Sequence, residues 1–328
     1  MSHNIQKRDV QVGIETAWHG LTVVEPEIRK DNCRIVYPLE ICPTFFKRAD
    51  GVEVPANGRQ IVSLDDGLPV GRPVGADYKL IANEAIWDAV MNGIAGTSHK
   101  PVSCGTVNDR SLGFISVKVA DDFKAAGREH KPILNVLWGH GGNKAVVAKT
   151  GVTTVVCQNT FTLAMGEGSD FKLSIRHTAN ANLIDLQEAI DAHIGVVAEF
   201  QTAMNTFEAS SVTPDTARKV YAGFLAGDEV PETKTGISRL TNSVNRLAEL
   251  FATGKGNRGC TVADLFNGAT DYYSHESSGG DSTWKQFVSS EFGAGANRKV
   301  EFYDMLRDEA RFNATLARGE KTLQALGI

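Results

Sequence analysis

Long apolar runs are missing from this 328-residue chain. No stretch approaches the roughly 18 to 20 apolar residues that a membrane-spanning helix needs, so no membrane partner is expected. Paired metal-ligand spacings are missing as well. There is no Cys-x-x-Cys and no His-x-x-x-His, and the eight histidines are scattered, so neither a metal nor another cofactor is expected. Cysteine is scarce: five residues, Cys33, Cys42, Cys104, Cys157 and Cys260, an odd number. The first ten residues, MSHNIQKRDV, are polar and hold no secretory apolar core. Together these features predict free thiols in a reducing, cytoplasmic setting. Positive charge is not in excess either. The net charge is -5, which argues against a polybasic nucleic-acid binder but leaves room for a local basic surface.

What is present is ordinary globular composition, 42% hydrophobic and 22% charged. Residues 1–75 carry short apolar runs (Ile41 to Phe46, Val52 to Val54, Gln60 to Leu64) broken by prolines and glycines. That punctuation predicts short strands and long loops. Asn83 is expected to cap a helix from Glu84 to about Ile94, with Ile86, Trp87, Val90 and Ile94 on one face. The period then changes to two. Leu112 to Val119 alternates, Ile133 to Trp138 is apolar, and Ala145 to Lys149, Val152 to Cys157 and Phe171 to His177 also read as strands. Short turns between them favour an antiparallel sheet of four or five strands.

Beyond it, three- and four-residue spacing predicts a long helix from about Asn182 to Phe207. Further helices are expected at Pro214 to Leu225, Ile237 to Ala252, Val262 to Tyr273 and Lys299 to Leu326. The expected fold is therefore α+β: a central antiparallel sheet packed by helices and a helical C-terminal third. The expected organisation is an irregular β-rich region 1–75, a central α+β core 76–210 and a helical region 211–328.

Charge is unevenly spread. Between Lys100 and Asn180 ten basic residues face six acidic ones, +4, which leaves -9 for the rest of a chain at -5. Lys118, Lys172 and Arg176 fall on polar strand faces by alternation. A cationic sheet face of this kind suits a phosphodiester backbone, and an aromatic beside it would stack a base. The residues expected to serve are Lys118, Lys124, Arg128, Lys131, Trp138, Lys144, Lys149, Lys172 and Arg176. The plain alternative is a normally solvated sheet face.

Catalytic signatures are sparse. Cys157, in Cys157-Gln158-Asn159-Thr160, stands where a strand hands over to the next element, and His177 ends the last strand. The two are the candidates for a thiol and base pair, with a buried cysteine and a core histidine as the plain readings. Gly139-His140-Gly141-Gly142-Asn143-Lys144 lacks the Walker spacing and reads as a glycine-rich hairpin tip, a place where a ligand can still be touched.

Several phrases recur in one known family: Trp18-His19-Gly20-Leu21, Val74-Gly75-Ala76-Asp77-Tyr78, Cys157-Gln158-Asn159-Thr160, Ile175-Arg176-His177-Thr178 and the run from Thr261 to Tyr273. With them the chain resembles the phage/plasmid-like protein family, also called domain of unknown function 932. The resemblance implies a mobile-element origin and supplies no catalytic residues. The order helix, antiparallel strands, long helix is also similar to phage Red-beta type annealing proteins.

The expected function is thus a phage- or plasmid-encoded accessory protein of the bacterial cytoplasm that binds single-stranded DNA, anneals strands in recombination and assembles with copies of itself. The alternative is a non-enzymatic takeover or anti-defence protein that binds a host protein through its acidic helical region. An enzyme resting on Cys157 and His177 is the third, less favoured reading.

Overall fold

The structure, a computed structural model, describes residues 11–14, 23–142, 144–154, 159–162, 173–177, 183, 193–227, 230–277 and 283–328. Its strands are β1 (Val12–Gly13), β2 (Val23–Val24), β3 (Leu39–Lys47), β4 (Glu53–Ser63), β5 (Lys100–Val107), β6 (Leu112–Lys118), β7 (Phe123–Ala125), β8 (Arg128–Gly139), β9 (Val146–Thr154), β10 (Asn159–Thr162) and β11 (Leu173–Ile175). Its helices are α1 (Lys30–Cys33), α2 (Asn83–Ile94), α3 (His193–Ala209), α4 (Pro214–Ala226), α5 (Lys234–Thr253), α6 (Val262–His275), α7 (Thr283–Phe292), α8 (Ala294–Arg307) and α9 (Glu309–Leu326). The fold is α+β with a helical C-terminal region.

The central sheet is larger than the sequence pattern foretells. Among the described residues it has nine strands in the order β10-β9-β8-β6-β5-β1-β2, with β11 on β9 and β7 on β8. Every pair is antiparallel except β1 with β2. The additional strands are short or, like β5, interrupted by proline and glycine, and two or three residues cannot show a period. The β3 and β4 strands pair with each other as a separate ribbon. Pro43 and Pro55 are tolerated there because a two-stranded ribbon leaves each strand one edge with no partner to donate to.

The alternation read at Leu112 to Val119 sorts the sheet's two faces. Cys104, Ile115, Val117, Leu134, Val136 and Ala148 pack against Ile86, Trp87, Val90 and Ile94 of α2, with Cys33 and Ile35 beside them. Phe114 and Leu137 face the opposite way and meet Val288 and Phe292 of α7. Helices α3 to α6 and α8 share a second core, built on Phe200, Phe207, Tyr221, Phe251, Phe266 and Phe302. That core reaches the sheet at Ala125, Ala126 and Val152.

Helix ends follow local chemistry. Thr213, Thr233 and Thr261 accept from the backbone N–H three residues on and start α4, α5 and α6. The run from Lys299 to Leu326 is two helices, because Asp308 leaves the helical region of φ/ψ and its side chain caps α9 through the Arg311 N–H.

One expectation about cysteine is corrected. Cys33, at the end of α1, and Cys104, in β5, form a disulfide with Cα atoms 6.0 Å apart. They lie 71 residues apart in sequence, and folding against α2 brings them together. Cys42 and Cys260 are free.

Candidate nucleic-acid interface

Antiparallel register places opposite residues on the same face of a sheet, and the face alternates along each strand. Lys100 of β5 is opposite Lys118 of β6, and Lys118 is opposite Ile133 of β8. Lys131 shares that face of β8, as does Asn135, which is opposite Lys149 of β9. Lys124 of β7 is opposite Glu129, again on the same face. Five lysines from five strands therefore emerge on one face. Lys100 and Lys124 are exposed; Lys118, Lys131 and Lys149 are half-buried.

Acids temper them, Glu291 near Lys149 among them. Asp122 holds the Lys118 ammonium at 2.7 Å, and Glu129 sits across from Lys124. Lys149 lies over the Phe292 ring, 5.8 Å from its centre, where α7 crosses the far end of this face. Between the lysines, the Ser116 hydroxyl donates to Asn135 Oδ1 at 2.6 Å, so the centre of the face is polar but satisfied.

Three of the other expected residues are placed away from this face or beside the glycine turn. Arg128 is corrected: it is 4% exposed and points the opposite way, toward the helices. Its guanidinium pairs with Asp264 and donates to the Gly256 carbonyl at 2.8 Å, so it has no group left for a phosphate. Trp138 is also corrected: it is 1% exposed, and its indole N–H donates to Asn83 Oδ1 at 2.8 Å. Its ring lies flush on Gly113, where a Cβ would collide with it. A base cannot stack on a ring that already forms the core. Lys144 is half-buried beside the glycine turn, its stem against Gly139. Arg176 is exposed one residue past β11, and by alternation it shares the side of Ser174, which is opposite Val147 on the lysine side of β9. Lys172 and Cys157 lie outside the described residues, so the pairing of Cys157 with His177 is not tested. Lys100 was overlooked because Pro101 and Gly105 hide the strand that carries it.

Asn83 has a different role from the one its residue type suggests. It is the first residue of α2 rather than its cap, which is Ala82. The side chain turns inward and accepts from both Trp138 and His140 Nε2, each at 2.8 Å. The glycine turn is pinned over this group. Gly141 (φ 103°) abuts the Arg72 backbone, and Gly71 (φ 72°) abuts the His140 carbonyl, so neither position has room for a Cβ. His177 completes the cluster: Tyr78 stacks on its ring, and the phenol oxygen lies 3.0 Å from Nδ1. The His140 and His177 ring centres are 6.1 Å apart. Burial, with His177 adding to it, pushes His140 down to about 3, and burial lowers His177 too. Both imidazoles are neutral at pH 7.

Among the described residues no helix is long and apolar enough to cross a membrane. None of the curated proteins and none of the solved structures compared matches the chain. A family model does match, that of Domain of unknown function (DUF932), over residues 72–316. This span runs from Arg72, whose backbone abuts the glycine turn, through the lysine face and most of the helical region, and the chain belongs to the DUF932 family.

Proposed function

We propose that this protein binds single-stranded nucleic acid through the lysine face of its central sheet. The observation that carries the reading is the strand register, which gathers Lys100, Lys118, Lys124, Lys131 and Lys149 on one side of a chain whose net charge is negative. Such a face attracts a phosphodiester backbone by charge and by release of its counterions. With Trp138 in the core, the face offers charge without that ring as a stacking platform. Binding of this kind ignores base identity and leaves the bases outward, which is what an annealing accessory of a phage or plasmid needs. The acidic remainder keeps nucleic acid to one side and serves contacts between copies of the chain, in the cytoplasm of the bacterial host.

Fluorescence anisotropy with a labelled single-stranded oligonucleotide at low salt tests the reading. Reversing two charges, Lys118→Glu with Lys131→Glu, should weaken binding on the order of tenfold or more. Lys47→Glu, on the separate β3–β4 ribbon, should leave it unchanged. Equal binding by all three proteins would refute the lysine face.

A further inference from the structure

The β3–β4 ribbon is anchored at its base, where Leu39, Ile41 and Ile61 pack with Tyr37, Val70 and Val74. Toward its turn the apolar side chains lie open: Phe46 is 69% exposed, Phe45 53% and Val52 52%. Phe45 is opposite Pro55 and Phe46 is opposite Val54, so the tip carries apolar groups on both of its sides. Two strands alone have little stability in water, and a contiguous exposed apolar patch marks an interaction site. A patch on one side would lie flat on a surface. Apolar groups on both sides suit insertion between two walls.

The helical region holds an open groove of about 560 Å³ between α3, the start of α6 and the end of α8. Buried Phe207 and Val262 and half-buried Leu306 line it, with exposed Ala198, Thr202 and Thr206 along α3. The Thr202 and Thr206 hydroxyls donate to the Ala198 and Thr202 carbonyls of their own helix, at 3.0 and 3.1 Å. Spent as donors, they leave a wall that favours an apolar occupant. Clefts of roughly 300 to 1,000 Å³ enclose drug-sized groups, which is room for a pair of phenyl rings. Among the described residues lining the groove none belongs to the ribbon, so a tip seated there comes from another copy.

From these two surfaces we propose that the ribbon tip of one copy inserts Phe45 and Phe46 into the α3–α8 groove of a second copy. Their charges match. Lys47 is opposite Glu53 at the tip, and Glu199 and Arg307 are exposed charged residues of the groove, so each side offers one cation and one anion. Exposed ion pairs add little, and the phenylalanines carry the contact. The same balance separates the tip from a nucleic-acid wedge. Lys47 and Arg48 are matched by Asp50 and Glu53, with Arg48 paired to Asp50 at 3.2 Å, which leaves no net field for a phosphodiester backbone. Tip and groove are different patches, so copies exchange tips as a pair or run head to tail into a ring or filament. The contact rests on the part of the proposed function that has copies of the chain meet, and it does not need the lysine face.

Sedimentation velocity on the full chain, freed of nucleic acid, should show association that grows with concentration over the micromolar range. Phe45→Ser with Phe46→Ser, at exposed positions that the fold does not use, should weaken it about tenfold or more. Ala198→Trp, which fills the groove from an exposed helix position, should do the same. Mixed, the tip variant and the groove variant should form a one-to-one pair, since one keeps the groove and the other keeps the tip. Lys118→Glu with Lys131→Glu should associate like the wild type, which separates this test from nucleic-acid binding. A wild-type chain that stays monomeric, variants that associate as tightly as the wild type, or a mixture that stays monomeric would each overturn the contact. A tip variant that still associates but no longer binds an oligonucleotide would overturn it too, because the tip would then be a nucleic-acid wedge.

Discussion

Arg128→Ala should cost about 3 to 5 kcal/mol of folding stability in urea unfolding, because it strands a buried carboxylate. The Asp264 side chain is fully buried and that of Arg128 is 4% exposed. Asp264 also accepts from the backbone N–H groups of Cys260 and Thr261, and with Thr261 it closes the capping box of α6. One pair thus ties the start of β8 to the helical core. Burial pushes the Asp264 carboxyl up. The Cys260 N–H, the Arg128 guanidinium and its charge push it down and prevail, so the net direction is below the ordinary carboxylate value. A carboxyl lowered on folding contributes stability that is full above its unfolded pKa of about 3.9 and is lost as pH falls through the folded value. The pair's contribution should therefore fall only in acid below that point. Without Arg128 burial goes largely unopposed, the folded and unfolded values draw together, and this acid loss should shrink. A loss under about 1 kcal/mol, or an unchanged acid limb, would show that the pair does not join the two regions.

Gly319→Ala should be the second severe change, at about 3 kcal/mol, through overpacking. Helices α4 and α9 cross backbone to backbone at Gly223 and Gly319. A Cβ on Gly319 would run into the Lys219 carbonyl, and one on Gly223 into the Thr315 carbonyl. Backbone on both sides cannot step aside as the end of a flexible side chain can. On an exposed helix the same glycine-to-alanine change would gain about 1 kcal/mol. The sign of the measured effect decides between the two: a Gly319→Ala protein more stable than wild type in urea would mean the helices stand apart.

How far the fold was legible depended on the range of the forces that set each element. Leu112 to Val119 was readable because Ser116 and Lys118 interrupt an apolar run at period two, and Pro214–Ala226 because Pro214 marks a helix start. The strand β5 was not readable, since Val-Ser-Cys-Gly-Thr-Val is buried on both faces and shows no period. Asn83 was misjudged for a physical reason. Its residue type suits a cap, but its oxygen is claimed by Trp138 and His140, 55 and 57 residues away. Arg128 read as a surface cation because its partner, Asp264, is 136 residues distant. The excess of charge in the middle of the chain was visible in sequence. Which cations share a face follows from strand pairing, and that required the register.

Salt dependence of binding tests the lysine face most directly. For single-stranded nucleic acid, log K falls against log salt with a slope of about -0.7 per phosphate neutralised. Five lysines, for which Asp122, Glu129 and Glu291 compete, predict a slope of about -2 to -3 for the wild-type chain. Removing Lys118 and Lys131 together should flatten it by about 1 to 2, with little dependence on base sequence. A wild-type slope near zero, or a slope that the double variant leaves unchanged, would contradict the account.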